Sequence, residues 1–146
     1  MPIKNWLKYL VYILIIIGLI YLGGYILTYL KNIEKTTFNL PFYQYELTAF
    51  IVYAVIGLLI GLEYFLKERI KKGKWKINLP KLILMGLPSL YFSFSAIILY
   101  LPLPFVVNIL MRPIEAFLRN DVIFINIFQL LFGYVIITSL YKVSTE

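Results

Sequence analysis

Histidine and cysteine are both absent from this 146-residue chain. Zinc sites with the usual nitrogen and sulfur ligands, thiol redox chemistry, ordinary haem ligation and a Ser-His-Asp arrangement are therefore unsupported together. A paired-aspartate site is excluded too, because Asp121 is the single aspartate. Acid–base work is left to glutamate, aspartate, lysine and tyrosine. The residue types predict a non-catalytic protein with no cofactor and no metal.

Ligand binding is better served than catalysis. Glu46 lies five residues past Pro41, which is about 7 Å along a helix rising about 1.5 Å per residue. Counted the same way from Val122, Asn126 and Gln129 lie about 6 and 10 Å in, and Ser95 lies about 9 Å before Leu101. These four polar groups share one level. An ionisable side chain inside a membrane bundle is a functional candidate because burying it is costly. Beyond them, Asn108, Arg112, Glu115 and Arg119 are spaced 4, 3 and 4 apart, so they form a polar stripe on an apolar helix. Together these residues predict an outward-facing pocket of Glu46, Ser95, Asn126 and Gln129. Arg112, Glu115 and Arg119 would roof it, and a lipid headgroup, a peptide end or a cation would suit it.

Two further patterns concern surfaces. Ala54, Gly57 and Gly61 recur at spacings of three and four, the pattern that lets another transmembrane helix approach closely. The stretch "LKERIKKGKWKINLPK", residues 66 to 81, holds seven Lys and Arg in sixteen positions. Lys67, Arg69, Lys71, Lys72, Lys74 and Lys76 are expected to meet anionic lipid headgroups, each worth about 1 kcal/mol near the surface. Trp75 among them suits an interfacial ring anchor. Nucleic acid is not expected as a partner, since the stretch contains no recognisable reading element.

All of these residues need elements to hold them, and composition indicates which. The chain is 62% hydrophobic and 14% charged, against about 45–50% and about 25% in globular domains. Charges cluster between apolar stretches long enough to cross a bilayer, which takes about 20 residues. Four crossings are predicted, at about 9–30, 42–66, 82–101 and 122–141, forming one all-α domain over 1–146. Prolines in "LPLPF" end the third crossing. An amphipathic helix over about 105–119 then lies in the outer interface or re-enters the membrane, with Pro113 interrupting it.

Alternating sides of four crossings place ten Lys and Arg on one face and four on the other. The positive-inside rule then puts both termini and residues 67–81 in the cytoplasm, in a membrane read as the prokaryotic cytoplasmic membrane. The first apolar run exceeds the usual length of a signal peptide core and reads as a retained anchor. Function is expected at the level of an accessory or interaction subunit of a membrane complex, with lipids and a protein partner or a second copy as its company. The alternative is a small transporter or ligand-binding membrane protein that uses the outer polar pocket.

Overall fold

The computed structural model describes residues 3–37, 41–99, 101–102, 104–118 and 123–143. Arg119 lies outside them. The described chain is helical apart from one short two-stranded ribbon. It falls into two compact units, Met1–Val52 and Tyr53–Glu146, and the boundary lies inside the second helix.

The first unit is α1 (Ile3–Thr37) with the opening turns of α2 (Phe42–Ile70). Pro41 starts α2, its carbonyl accepting the Tyr45 N–H at 2.9 Å, a position where proline's missing donor costs nothing. Gly23 brings α1 against α2: a Cβ there would come within 2.4 Å of Val52 Cγ1. Lys31 Nζ sits 5.5 Å from the centre of the Tyr45 ring. Both helices are long and apolar enough to cross a membrane. The chain is thus a helical protein with two membrane-spanning candidates and the composition of a membrane protein.

The second unit begins with the rest of α2, whose apolar stretch ends at Leu66 and whose last turn is polar. Gly73 follows at φ 141°, a conformation other residues rarely adopt. It turns the chain into β1 (Lys74–Ile77), which pairs antiparallel with β2 (Leu140–Val143). Sequence periodicity did not announce this ribbon. The stretch expected as a loop is half of a strand pair whose other half lies more than sixty residues away.

The third apolar stretch is also not one regular helix. Asn78 accepts the Lys81 N–H on its side chain at 3.1 Å and opens α3 (Leu79–Lys81). A π-helical turn follows over Leu82–Gly86, then α4 (Leu87–Ser93) and α5 (Ser95–Leu99). Pro88 explains the π turn. It has no N–H for the Leu84 carbonyl, and the chain closes the turn instead with Leu87 N–H on Leu82 O, the wider spacing of a π-bulge. Phe94 breaks the run again, at φ −99° and ψ 12°.

The helix α6 (Pro104–Leu118) has Met111 and Ile114 buried, while Asn108, Arg112 and Glu115 are exposed. Phe105 and Ile109 are exposed as well, so the exposed side of α6 is apolar as well as polar. Pro113 leaves the Ile109 carbonyl without its helical donor. One residue on, the Leu110 carbonyl accepts the hydroxyl of Tyr91, tying α6 to α4.

The last helix, α7 (Ile123–Thr138), lies against both α2 and α4. A Cβ on Gly57 would fall 1.9 Å from Leu130 O, and one on Gly133 would fall 1.9 Å from Ala54 O. The two backbones touch where those side chains are missing. Gly61 continues the contact against Ile137 and Thr138. On the other side of α7, Phe92 and Phe128 stack with ring centres 4.6 Å apart. Ile56, Met111, Ile114, Ile125 and Val135 are the buried apolar side chains of this unit.

Candidate functional site

Two groupings of polar residues stand out in the second unit, one at the ribbon and one in the helical core. At the ribbon, the organising residue is Glu68, only 5% exposed. Its carboxylate is paired with Lys71 Nζ through Oε1 and accepts the Lys142 N–H through Oε2 at 3.1 Å. The hydrogen bond from Lys71 and the one from the Lys142 backbone hold its carboxyl below the usual range. Lys142 answers in kind: its ammonium donates to the carbonyls of Arg69 at 2.7 Å and Lys71 at 2.9 Å. The Arg69 carbonyl belongs to the last turn of α2 and the Lys71 carbonyl lies just past it, groups of the kind a lysine at a helix C-terminus satisfies.

Trp75 completes the joint. Its ring stacks on Phe65 at 5.2 Å and 16°, and Lys142 Nζ lies 5.1 Å from its centre. In the strand register Trp75 faces Lys142 and Ile77 faces Leu140, while Lys74 and Lys76 pair with Val143 and Tyr141. Successive strand residues alternate sides, so Lys74 and Lys76 project from the face opposite the stacked tryptophan. The residues expected to meet lipid therefore divide. Lys67 pairs with Glu63 at 3.0 Å, Lys71 is spent on Glu68, and Trp75 is partly occupied by Phe65. Lys72, Lys74 and Lys76 are exposed and form no ion pair among the described residues.

Lys81, counted with this basic stretch, is half-buried instead. Its ammonium donates to Thr138 Oγ1 at 2.7 Å and lies 5.9 and 5.4 Å from the centres of the Tyr64 and Tyr134 rings. One lysine thus joins α2, α3 and α7. Spacing alone had not marked it, because its partners are distant in sequence.

The core grouping contains part of the predicted pocket. Gln129 is fully buried and Ser95 is 1% exposed. Asn126 is half-buried. Glu46, half-buried as well, belongs to the first unit, and Arg112 and Glu115 are exposed on α6. Most buried hydroxyls close onto their own helix: Ser89 donates to Met85 O at 2.5 Å, Ser93 to Ser89 O at 2.6 Å and Ser139 to Val135 O at 2.6 Å. Ser95 Oγ and Gln129 Oε1 have no hydrogen-bond partner among the described residues. The Gln129 amide nitrogen reaches the Ser93 carbonyl at 3.5 Å. Compared with known protein families, curated proteins and solved structures, the chain matches none.

Proposed function

We propose that this chain is a four-crossing, non-catalytic membrane protein, an accessory or interaction subunit of a membrane complex, with its basic ribbon seated on anionic headgroups at the cytoplasmic face. The observation that carries this is the ribbon itself. Glu68 and Lys142 spend their charges inside the protein, while Lys72, Lys74 and Lys76 point out of it. Two exposed lysines on a short, pinned strand, with Lys72 exposed just before it, make an anion-binding surface at about 1 kcal/mol each near a charged membrane. The four crossings draw support from the 42–66 and 9–30 stretches and from the successive helical segments between Leu79 and Leu99. They draw it also from the apolar helix Phe124–Thr138.

A second reading, a small transporter or ligand-binding protein, is favoured by the buried amide and hydroxyl of Gln129 and Ser95. Purification in mild detergent from mixed anionic and zwitterionic nanodiscs, read by native mass spectrometry, tests the first. Anionic lipid should be retained in excess, with a partner protein at fixed stoichiometry. Joint replacement of Lys72, Lys74 and Lys76 by Gln should abolish the lipid excess. Equal lipid retention in parent and variant refutes the headgroup role, and a chain that always arrives alone refutes the subunit role.

A further inference from the structure

We infer that the groove between the π turn, α7 and the paired end of the ribbon seats one acyl chain of a membrane phospholipid. The groove holds about 400 Å³, within the range of small-ligand sites. Phe132 and Ile136, one turn apart on α7, form one wall, and Leu82 and Gly86 face them from the π turn. From Phe132 to Ser139 it follows the helix for about 10 Å at about 1.5 Å per residue. Ile77 and Leu140, opposite each other in the ribbon, line the end beyond Ser139. Gly86 and Ser139 are buried while Ile77, Leu87 and Ile136 are exposed, so the groove opens outward along its length. The π turn at Pro88 supplies the facing wall, and such bulges recur at functional sites.

The chemistry of the lining selects the occupant. Its one polar side chain, Ser139, already donates to Val135 O at 2.6 Å, whereas an ordered water needs two to four polar partners. Two apolar occupants compete, a helix and a hydrocarbon chain. Helices gain little in lipid from apolar contact alone and associate through small residues and interhelical hydrogen bonds. The rim here is Ile77, Leu87 and Ile136, which offer neither. A lipid tail requires only an apolar wall. Its polar end belongs at the ribbon, where Lys74 and Lys76 are exposed on the strand that carries Ile77, since basic groups beside a cleft between membrane helices hold anionic headgroups. That direction rests on the headgroup reading of the ribbon proposed above. The seat for the tail rests only on the chain lying in a membrane.

The test titrates the full chain, stripped of lipid by detergent exchange, with dioleoyl phosphatidylglycerol, dioleoyl phosphatidylcholine or chain-free glycerophosphoglycerol, and reads unfolding midpoint and native mass. Both dioleoyl lipids should raise the midpoint saturably, by about 5 °C at a hundredfold excess over the dissociation constant. One lipid should be bound per chain, and the chain-free headgroup should change nothing. Ile136→Trp, which fills the groove from its rim, should remove both responses. The comparison of the three ligands in the parent decides the matter even where that variant does not fold. Joint replacement of Lys72, Lys74 and Lys76 by Gln should end any preference for phosphatidylglycerol yet keep the one bound lipid, so failure of the headgroup reading leaves the seat standing. An unchanged midpoint with both dioleoyl lipids, or a rise that persists in Ile136→Trp, overturns the seat. So does a lipid-free parent that is dimeric and becomes monomeric in Ile136→Trp, which gives the groove to a second copy.

Discussion

Glu68 shows how one side chain decides the shape of a surface. Without its carboxylate, the Lys142 backbone donor and the Lys71 ammonium lose their common partner, and the ribbon loses one of its ties to the end of α2. Its position beyond Leu66 keeps it outside the apolar stretch of the helix. Because its carboxyl is held low by those two hydrogen bonds, the stabilisation is fully present above the ordinary glutamate pKa of about 4.3. It is lost as pH falls through the lower folded value. In a Trp6→Phe background, where Trp75 is the one remaining tryptophan, acidification below about pH 4.3 should shift its emission as the Phe65 stack loosens. Glu68→Gln should show a loosened signal already at neutral pH and little further change. Superimposable curves for the two proteins would refute the tie. The spacing that exposes Glu63–Lys67 as an i,i+4 pair is legible in sequence and is present at 3.0 Å. Glu68 was not, because its second partner is 74 residues away.

At the scale of elements, the contact of α2 with α7 ranks the glycines. At Gly57 a Cβ meets backbone, Leu130 O at 1.9 Å, and nothing there is able to rotate away. At Gly61 it meets side chains, Ile137 Cγ2 at 2.3 Å and Thr138 Cγ2 at 3.0 Å, which are free to repack in part. At Gly24 it meets nothing within 4 Å. Gly57→Ala should therefore cost about 1–3 kcal/mol or more through forced separation of the helices. Gly61→Ala should cost less, and Gly24→Ala should be neutral or gain up to about 1 kcal/mol from helix propensity. Unfolding midpoints of the three variants in one detergent check the order, and equal midpoints for Gly57→Ala and Gly24→Ala would contradict it. The small-residue spacing of Ala54, Gly57 and Gly61 marked this face in the sequence. Which helix it would meet was not legible, nor was Gly133, which supplies the reciprocal close approach.

For the whole molecule, the question is which way the chain lies in the membrane. In the proposed four-crossing topology ten of fourteen Lys and Arg fall on the cytoplasmic side, and charge bias of that kind sets orientation in short loops. The ribbon pairs residues 74–77 with 140–143, so the proposed topology has to keep these two segments on the same side. With cysteines introduced singly into a chain that has none, a membrane-impermeant thiol reagent applied to intact cells should modify Thr37→Cys and spare Lys72→Cys. The opposite pattern would reverse the topology.

Composition and apolar run length already pointed to a helical chain with stretches long and apolar enough to cross a membrane. These are sums over many residues, and burying about 20 apolar side chains outweighs any local detail. The stripe on α6 was equally legible, since helical periodicity sets which of its residues face in. Only the tertiary structure decided that the basic stretch is half of a ribbon and that the third apolar stretch is interrupted at Pro88 and Phe94. It alone placed Ser95 and Gln129 in the interior of the second unit, with Ser95 Oγ and Gln129 Oε1 unpartnered among the described residues. Strand pairing, helix contact and the satisfaction of a buried amide each depend on a partner distant along the chain, and pattern within a window cannot supply that partner.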